Sequence, residues 1–267
     1  MIANLGMYDL APLSSALDDL WSQIRTALLK LGVDAPEGLN RKEPLWSIWT
    51  DANLVLGQTC GLPYRKDLHG RLHLLGAFDY GLFDTPRGYY HSVLVARAHT
   101  LAPLTGYANA RLAVNGFDSE SGWAAASRTA ADAGFAFRQF LHTGAHVESV
   151  AAVREGRADI AAVDAVTWRI LQQQTPSDVD GLSVVTRSQP TPGLPLITGL
   201  AQDPERVRSA VIEGLDALPT SVRDRLGIKG FVPMTSDDYL TVSEPGLPSQ
   251  AKARPAPETL HSLTNTA

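Results

Sequence analysis

The chain has 267 residues and a formal net charge of −5, and 44% of its residues are hydrophobic while 19% are charged. This composition supports a packed core and excludes a disordered chain. The acidic balance excludes the basic surface that nucleic-acid binding usually requires. Because Cys60 is the single cysteine, there is no internal disulfide and no multi-thiolate metal site. The longest apolar stretches are shorter than the roughly 20 residues of a membrane span.

The first residues lack the features of an export signal. Segment 1–9 has no basic start, and Asp9 interrupts the stretch that would have to be apolar. As written, the sequence predicts a cytoplasmic protein. A processed chain or a misassigned start would instead be compatible with the periplasm.

Short apolar segments alternate with helical patterns along the chain. The predicted strands are 2–8, 54–57, 72–78, 92–96, 111–115, 159–163 and 182–186. The predicted helices are 13–31, 124–133, 147–155, 165–173, 204–217 and 219–226. This alternation indicates an α/β fold with mostly parallel sheets.

The chain is long for one sheet, and no Gly/Ser-rich linker divides it. We therefore predict two lobes joined by two hinge crossovers, near 96–101 and 186–192. The first lobe would comprise 1–96 and 190–241, and the second lobe 97–189. Residues 242–267, rich in Pro, Ser, Ala and Thr, are predicted to form a flexible tail.

The most informative segment is 113–123, which reads as a strand, a short polar loop and the start of a helix. Free N–H groups at a helix N-terminus, together with the hydroxyls of Ser119 and Ser121, would form an oxyanion-binding site. The alternative is that one of these serines only caps the helix.

Motifs for catalysis or cofactor binding are not apparent. The sequence lacks a G-x-S-x-G elbow, a Walker A loop, a G-x-G-x-x-G loop and an H-E-x-x-H helix. His142 and His146 are four residues apart, but Gly144 lies between them and no third ligand is evident. Cys60 follows a strand, where a small buried residue is more typical than a nucleophile. We therefore predict no catalytic residue, no cofactor and no metal.

Several segments, taken in chain order, resemble one family. They are 88–94 (GYYHSVL), the loop 115–122, 144–150 (GAHVESV), 156–161 (GRADIA) and 226–233 (LGIKGFVP). The resemblance is to the phosphonate/phosphite-type periplasmic solute-binding proteins of ABC importers, which have the type II periplasmic-binding-protein fold. It covers about residues 1–240 and implies two lobes that close on an oxyanion.

The resemblance also implies a set of ligand-binding residues. The family loop usually reads Ser-Thr-Ser-Gly, so its hydroxyls carry over, and a tyrosine, a histidine and an acid of the family have counterparts. Three further positions follow from the expectation that they lie at the ends of apolar strands, and one aromatic residue is more typical of a core or cleft wall. The candidates are Tyr8, Gln58, Thr59, Tyr90, Ser119, Ser121, Gly122, Trp123, His146 and Asp164.

Glu120 departs from the family loop, where a threonine is usual. A carboxylate turned into the site would repel a dianion by several kcal/mol at low dielectric. Either Glu120 faces solvent in the first helical turn, or the ligand is cationic or zwitterionic. The segment 191–195 (TPGLP) also lacks the acid that the family carries there, which weakens a specific assignment to an amino-bearing phosphonate.

These patterns predict a solute-binding protein that captures a small phosphate-, phosphite- or phosphonate-like anion or zwitterion, with an ABC permease as its partner. The alternative is a cytosolic enzyme on the same fold, of the kind found in menaquinone or thiamine-precursor biosynthesis. A ligand sensor is a third interpretation. Fold analogy alone does not choose among them.

Overall fold

The computed structural model describes residues 1–248, and the part of the predicted tail from 249 to 267 lies outside them. Within the described range, residues 242–248 form no helix or strand. No helix of residues 1–248 has the length and apolarity that crossing a bilayer requires.

The elements follow the predicted alternation. The strands are β1 (Ile2–Asn4), β2 (Leu54–Gln58), β3 (His73–Asp79), β4 (Tyr89–Tyr90), β5 (Ser92–Arg97), β6 (Arg111–Val114), β7 (Gln139–His142), β8 (Ile160–Asp164), β9 (Leu182–Arg187), β10 (Thr191–Pro192), β11 (Pro195–Thr198) and β12 (Gly230–Val232). The α-helices are α1 (Ser14–Lys30), α2 (Leu45–Trp49), α3 (Gly61–Pro63), α4 (Ala125–Asp132), α5 (His146–Arg154), α6 (Ala165–Gln174), α7 (Pro204–Ala217), α8 (Thr220–Leu226) and α9 (Ser236–Leu240). Two π-helical turns are present, Tyr64–Leu68 before β3 and Glu120–Ala124 directly before α4.

Two five-stranded sheets form the two lobes, which confirms the predicted fold class. The first has the strand order β1-β2-β11-β3-β12 and the second the order β7-β6-β8-β5-β9. Each lobe therefore combines segments that are distant in the chain.

The sheets are mixed, so the prediction of mostly parallel pairing is wrong in detail. In the second sheet β5 runs antiparallel to both of its neighbours, whereas β6 is parallel to β7 and β8. In the first sheet β11 is antiparallel to β2 and β3. Both β5 and β11 are the first strands after the chain changes lobe, so each enters its sheet from the edge that faces the other lobe.

The first crossing lies earlier than the predicted 96–101. Because Ser92–Arg97 pairs with β8 and β9, it belongs wholly to the second lobe. The lobe boundary after residue 96 is therefore incorrect. The apolar segment 92–96 reads like a strand of either sheet, and only its pairing shows which sheet holds it.

A short ribbon joins the lobes. Strands β4 and β10 pair antiparallel, with Thr191 opposite Tyr90 and Pro192 opposite Tyr89. The outgoing and returning crossings therefore run side by side, an arrangement that suits hinge motion between two rigid bodies.

The first strand is shorter than predicted. Extended pairing ends at Asn4, and Gly6–Tyr8 forms a 3₁₀ turn that Asn4 supports by accepting a hydrogen bond from the Gly6 N–H at 2.9 Å. The short polar side chain of Asn4 competes with strand pairing in this way. Tyr8 consequently lies in a turn at the end of β1.

The core of the first lobe depends on close packing of α1 against α7. Leu20, Trp21 and Ile24 of α1 are fully or almost fully buried with Val211 of α7. Gly214 permits the contact, because a Cβ there would lie 2.6 Å from the backbone N and Cα of Ile24. This approach is closer than atoms tolerate, so the position requires glycine.

We predict that Gly214→Ala lowers the free energy of unfolding by about 1–3 kcal/mol, as overpacking does. In an exposed helix the same change would be stabilising. Urea denaturation of the variant tests this. Gly38→Ala is the control, because a Cβ at Gly38 meets nothing within 4 Å. Equal midpoints for the two variants would contradict the packing argument.

Candidate ligand-binding site

The candidate residues follow strand ends that face each other across the two lobes. In the first lobe the parallel strands β1 and β2 end at Asn4 and Gln58. In the second lobe the parallel strands β6 and β8 end at Val114 and Asp164. Carboxyl ends of parallel strands share one sheet edge, which is where open α/β sheets bind ligands.

Ser119 caps the turn that begins the second-lobe helix. Its backbone is extended, and its Oγ accepts a hydrogen bond from the Gly122 N–H at 3.0 Å. The capping alternative therefore describes this side chain. A Cβ on Gly122 would lie 1.8 Å from Asn115 Oδ1, so Gly122 is needed where the loop folds back on itself.

Ser121 is the buried hydroxyl at the centre of the site. Its Oγ lies 2.8 Å from His146 Nε2, at the start of α5. Its carbonyl accepts a hydrogen bond from Ser92 Oγ at 2.9 Å, which fixes the loop to the beginning of β5. The structure thus brings together Ser121 and His146, as the resemblance implied.

Asp164 is a buried helix cap that also faces the histidine. It accepts hydrogen bonds from the N–H and the Oγ1 of Thr167, at 2.8 and 2.6 Å. Its Oδ2 lies 3.6 Å from His146 Nε2. Burial lowers the pKa of His146, and the neighbouring Asp164 carboxylate opposes that shift. His146 is therefore mainly neutral at pH 7.

Three tyrosines gather around the same carboxylate. The ring of Tyr8 packs edge-on against Tyr80, with centroids 5.1 Å apart. Burial, followed by the charge of Asp164, raises the pKa of Tyr8 well above its usual value. Burial also raises the pKa of Tyr90, and the neighbouring Cys60, Glu120 and Asp164 raise it further. The phenols consequently stay protonated and able to donate.

Several buried polar atoms of this region have no hydrogen-bond partner among the described residues. They include Gln58 Nε2, Thr59 Oγ1 and Tyr90 OH, whose side chains are each at most 2% exposed. Buried polar groups in native proteins are nearly always paired, with protein or with a bound molecule. Gln58 and Thr59 belong to the first lobe, and Tyr90 to the connecting ribbon.

Glu120 neither faces solvent nor presents an unpaired carboxylate to the site, the two alternatives considered from the sequence. It is 1% exposed, so the expectation that it faces solvent is wrong. Arg65 Nη2 donates to its Oε2 at 2.7 Å, and Arg128 Nη2 donates to its Oε1. The carboxylate is thus neutralised by the protein, which removes the repulsion that the sequence alone indicated.

Trp123 lies in the hydrophobic core of the second lobe, and its buried indole Nε1 has no hydrogen-bond partner among the described residues. Its ring packs edge-on against Phe117 and Phe140, with centroids 5.2 and 5.4 Å apart. It belongs to the cluster that includes Leu94 and Leu112. These contacts support a core role for the ring, and a role in ligand binding stays a prediction for Trp123.

Sequence reasoning missed the residues that support the site. Ser92 contacts a candidate residue through its hydroxyl, and Thr167 contacts another through the helix cap. The Thr167 contact follows the N-cap pattern of Asp164 and could have been anticipated. The sequence did not indicate that Arg65 and Arg128 pair with Glu120. Arg65 is distant from Glu120 in the chain, and the burial of Glu120, which makes both ion pairs necessary, was unknown.

Residues 76–239 match the family described as "ABC transporter, phosphonate, periplasmic substrate-binding protein". The match spans more than half of the chain, and the chain belongs to this family of solute-binding proteins. Its described location is the periplasm, so the cytoplasmic location expected from the first residues has no support. No curated protein matches the sequence.

Solved structures share the fold at low sequence identity. PhnD1 from Prochlorococcus marinus, in complex with methylphosphonate, is 16% identical with a TM-score of 0.65, over 85% of this chain and 90% of that one. A binding-protein component of an ABC phosphonate transporter from Pseudomonas aeruginosa (PA3383) is 17% identical, with a TM-score of 0.65, over 85% and 79%. XAC2383 from Xanthomonas citri, bound to ATP, is 16% identical with a TM-score of 0.63, over 85% and 90%.

Cys60 is buried at the contact between the lobes, and we predict that its thiol is unreactive in the folded protein. Burial raises its pKa to about 12, and its Sγ accepts the Glu120 N–H at 3.2 Å. At pH 8 about one molecule in ten thousand would carry the thiolate. Native protein should therefore resist a maleimide, while protein in guanidinium reacts fully. Rapid labelling of the native protein would contradict this arrangement.

Acidification should destabilise the protein through His146. The pKa of His146 in the folded protein lies below 6.5. Below about pH 6.5 the unfolded state therefore binds more protons than the folded state, and the free energy of unfolding decreases as the pH is lowered. We predict that His146→Gln reduces this slope between about pH 7 and pH 5, by up to about 1.4 kcal/mol per pH unit. Part of the slope remains, because burial also lowers the pKa of His91.

Urea titrations at several pH values measure this effect. The exposed His99 supplies the control variant, His99→Gln, which should keep the native slope. The assignment to His146 fails if both variants show the same pH dependence.

Proposed function

We propose that this solute-binding protein captures a small oxyanion or zwitterion, of the phosphate, phosphite or phosphonate type, between its two lobes and delivers it to an ABC permease. The observation that carries the proposal is the group of buried, unpaired donors where the strand ends of both lobes meet. A bound ligand would supply the partners that these atoms lack.

The available donors suit oxygen atoms of a small anion. Tyr90 OH, Thr59 Oγ1 and Gln58 Nε2 are buried and unpaired, and Ser121 Oγ has a neutral imidazole as its neighbour. Hydroxyl and amide groups held in a dry site bind oxyanions without the cost of reorganising water. The turn at Glu120–Ala124 adds the N–H groups of a helix start.

The charges nearby favour a monoanion or a zwitterion over a dianion. Arg65 and Arg128 are engaged by Glu120, and Arg169 Nη1 donates to the Tyr80 carbonyl at 2.8 Å. Asp164 contributes a buried negative charge to the site. A second negative charge on the ligand would be opposed by Asp164, whereas an ammonium group would be attracted to it.

Ligand contacts from both lobes would make binding and closure one event. Gln58 and Thr59 lie in the first lobe and Ser121 in the second. A ligand that touches both sets stabilises the closed arrangement by its higher affinity for that state. A permease that recognises this arrangement would then accept only loaded protein.

The enzyme alternative finds no support in the geometry of Ser121, His146 and Asp164. In a nucleophilic triad the serine and the acid use different nitrogens of the histidine. Here both Ser121 Oγ and Asp164 Oδ2 face the same atom, Nε2, at 2.8 and 3.6 Å. The acid therefore cannot orient the ring for proton abstraction from the serine, and the protonated, buried Cys60 offers no replacement.

We predict that methylphosphonate, phosphite or 2-aminoethylphosphonate raises the melting temperature of the protein with increasing concentration. In Ser121→Ala the shift should require about 10- to 100-fold more ligand, since a hydrogen bond to a charged group is lost. Thermal shift and isothermal titration measure both quantities. Including sulfate, which is a dianion throughout the neutral pH range, tests the preference against dianions.

Ser149→Ala is the matched control. Ser149 is a fully buried serine of the same lobe, bonded to Thr143 Oγ1 at 2.7 Å and outside the candidate site. Ser149→Ala should lower the melting temperature but keep the native ligand affinity. Equal affinity losses in the two variants, or no stabilisation of the native protein by any of these compounds, would overturn the proposal.

A further inference from the structure

Glu120 links the lobes through an ion pair that the family loop, with threonine at this position, would lack. Its carboxylate is 1% exposed, and the Arg65 side chain that reaches it is 3% exposed. Arg65 Nη2 lies 2.7 Å from Glu120 Oε2. Both charges are thus removed from water and compensated by each other.

The two arginines on this carboxylate come from different lobes. Arg65 lies in the π-helical turn Tyr64–Leu68, which follows β2 of the first lobe. Arg128 lies on α4 of the second lobe, eight residues after Glu120. The Arg128 contact can therefore persist in any arrangement of the lobes, whereas the Arg65 contact requires that they meet.

Further contacts hold the same loop against the first lobe. The Glu120 N–H donates to Cys60 Sγ at 3.2 Å. Trp46 Nε1 donates to Asp118 Oδ2 at 3.4 Å. A Cβ on Gly61 would lie 3.6 Å from Glu120 Cγ, so the first-lobe backbone passes close to the stem of the side chain. The loop that carries Ser119 and Ser121 is thus where the lobes touch.

The segment after α9 covers this pair. Arg128 Nη1 donates to the Ser243 carbonyl at 2.9 Å, and a Glu244 oxygen lies 4.0 Å from Arg65 Nε. The cover keeps the pair partly shielded from solvent and so limits screening by salt.

We propose that Arg65 and Glu120 form an interlobe latch that stabilises the closed arrangement. When the lobes separate, Glu120 loses one of its two cations and Arg65 loses its short-range partner, so the pair contributes only to the closed state. A buried charge that loses a partner is strongly disfavoured unless water replaces it. The latch therefore adjusts the balance between open and closed forms, and with it the ligand affinity, without touching the ligand.

Interlobe distance in the absence of any ligand tests this directly. Asp19 on α1 and Asp132 on α4 are exposed, so Asp19→Cys and Asp132→Cys allow a dye pair to be attached, while buried Cys60 stays unlabelled. Arg65→Met and the isosteric Glu120→Gln should shift the distance distribution towards longer values. Arg65→Lys, which keeps the charge, should restore part of the native distribution.

Arg97→Met is the matched control, because Arg97 donates to the Val153 and Ala158 carbonyls within the second lobe, whereas Arg128 also reaches the Ser243 carbonyl beyond α9. Arg97→Met should lower thermal stability but leave the distance distribution close to native. The latch is refuted if Arg97→Met opens the lobes as much as Arg65→Met, or if Glu120→Gln and Arg65→Met leave the distances unchanged both with and without methylphosphonate.

Affinity supplies a second readout, which rests on the proposed function. If the closed fraction falls tenfold, the apparent Kd for methylphosphonate should rise about tenfold in Arg65→Met and Glu120→Gln. Failure of the native protein to bind methylphosphonate, phosphite and 2-aminoethylphosphonate alike would contradict the proposed function and leave the distance test intact. If the native protein binds methylphosphonate and both variants bind it with the same Kd, the latch does not determine affinity and this part of the proposal is overturned.

Discussion

The neutralisation of one buried carboxylate organises the contact between the two lobes. Glu120 stands at the start of the second-lobe helix, between Arg65 and Arg128. Without these partners its burial would be strongly unfavourable. With them, the loop 118–122 is fixed against the first lobe, and Ser121 is held next to His146. The polar site between the strand ends depends on this arrangement.

The same interaction determines what kind of ligand the site suits. Because Glu120 forms ion pairs with both arginines, the donors that remain at the strand ends are mostly hydroxyls and an amide. Asp164 provides the opposite charge and accepts two hydrogen bonds from Thr167. A site built from neutral donors and one acid differs from a cluster of cations, because it discriminates among ligands by their geometry as well as by their charge.

Periodicity and turn chemistry were enough to predict most elements. The helix 13–31 and the strand 159–163 correspond to α1 and β8, because amphipathic spacing and continuous apolar runs are local signals. The lobe boundary was misplaced because strand pairing is a long-range property. Segment 92–96 carries no local mark of the sheet that it joins.

The site shows the same division between local and distant information. The polar loop with Ser119 and Ser121 was recognisable, since its spacing and its place before a helix are local. The state of Glu120 was not predictable, because it depends on Arg65, 55 residues away, and on packing between lobes. Trp123 shows the same difficulty, since an aromatic at a helix start fits both a cleft wall and the aromatic cluster that it joins.

A crystal structure of the protein grown with methylphosphonate tests the central claim most directly. We predict that the phosphonate oxygens lie within hydrogen-bonding distance of Ser121 Oγ and Tyr90 OH, and of Thr59 Oγ1 or Gln58 Nε2 from the first lobe. Phosphonate bound away from these strand ends, or held by one lobe alone, would contradict a site formed jointly by both.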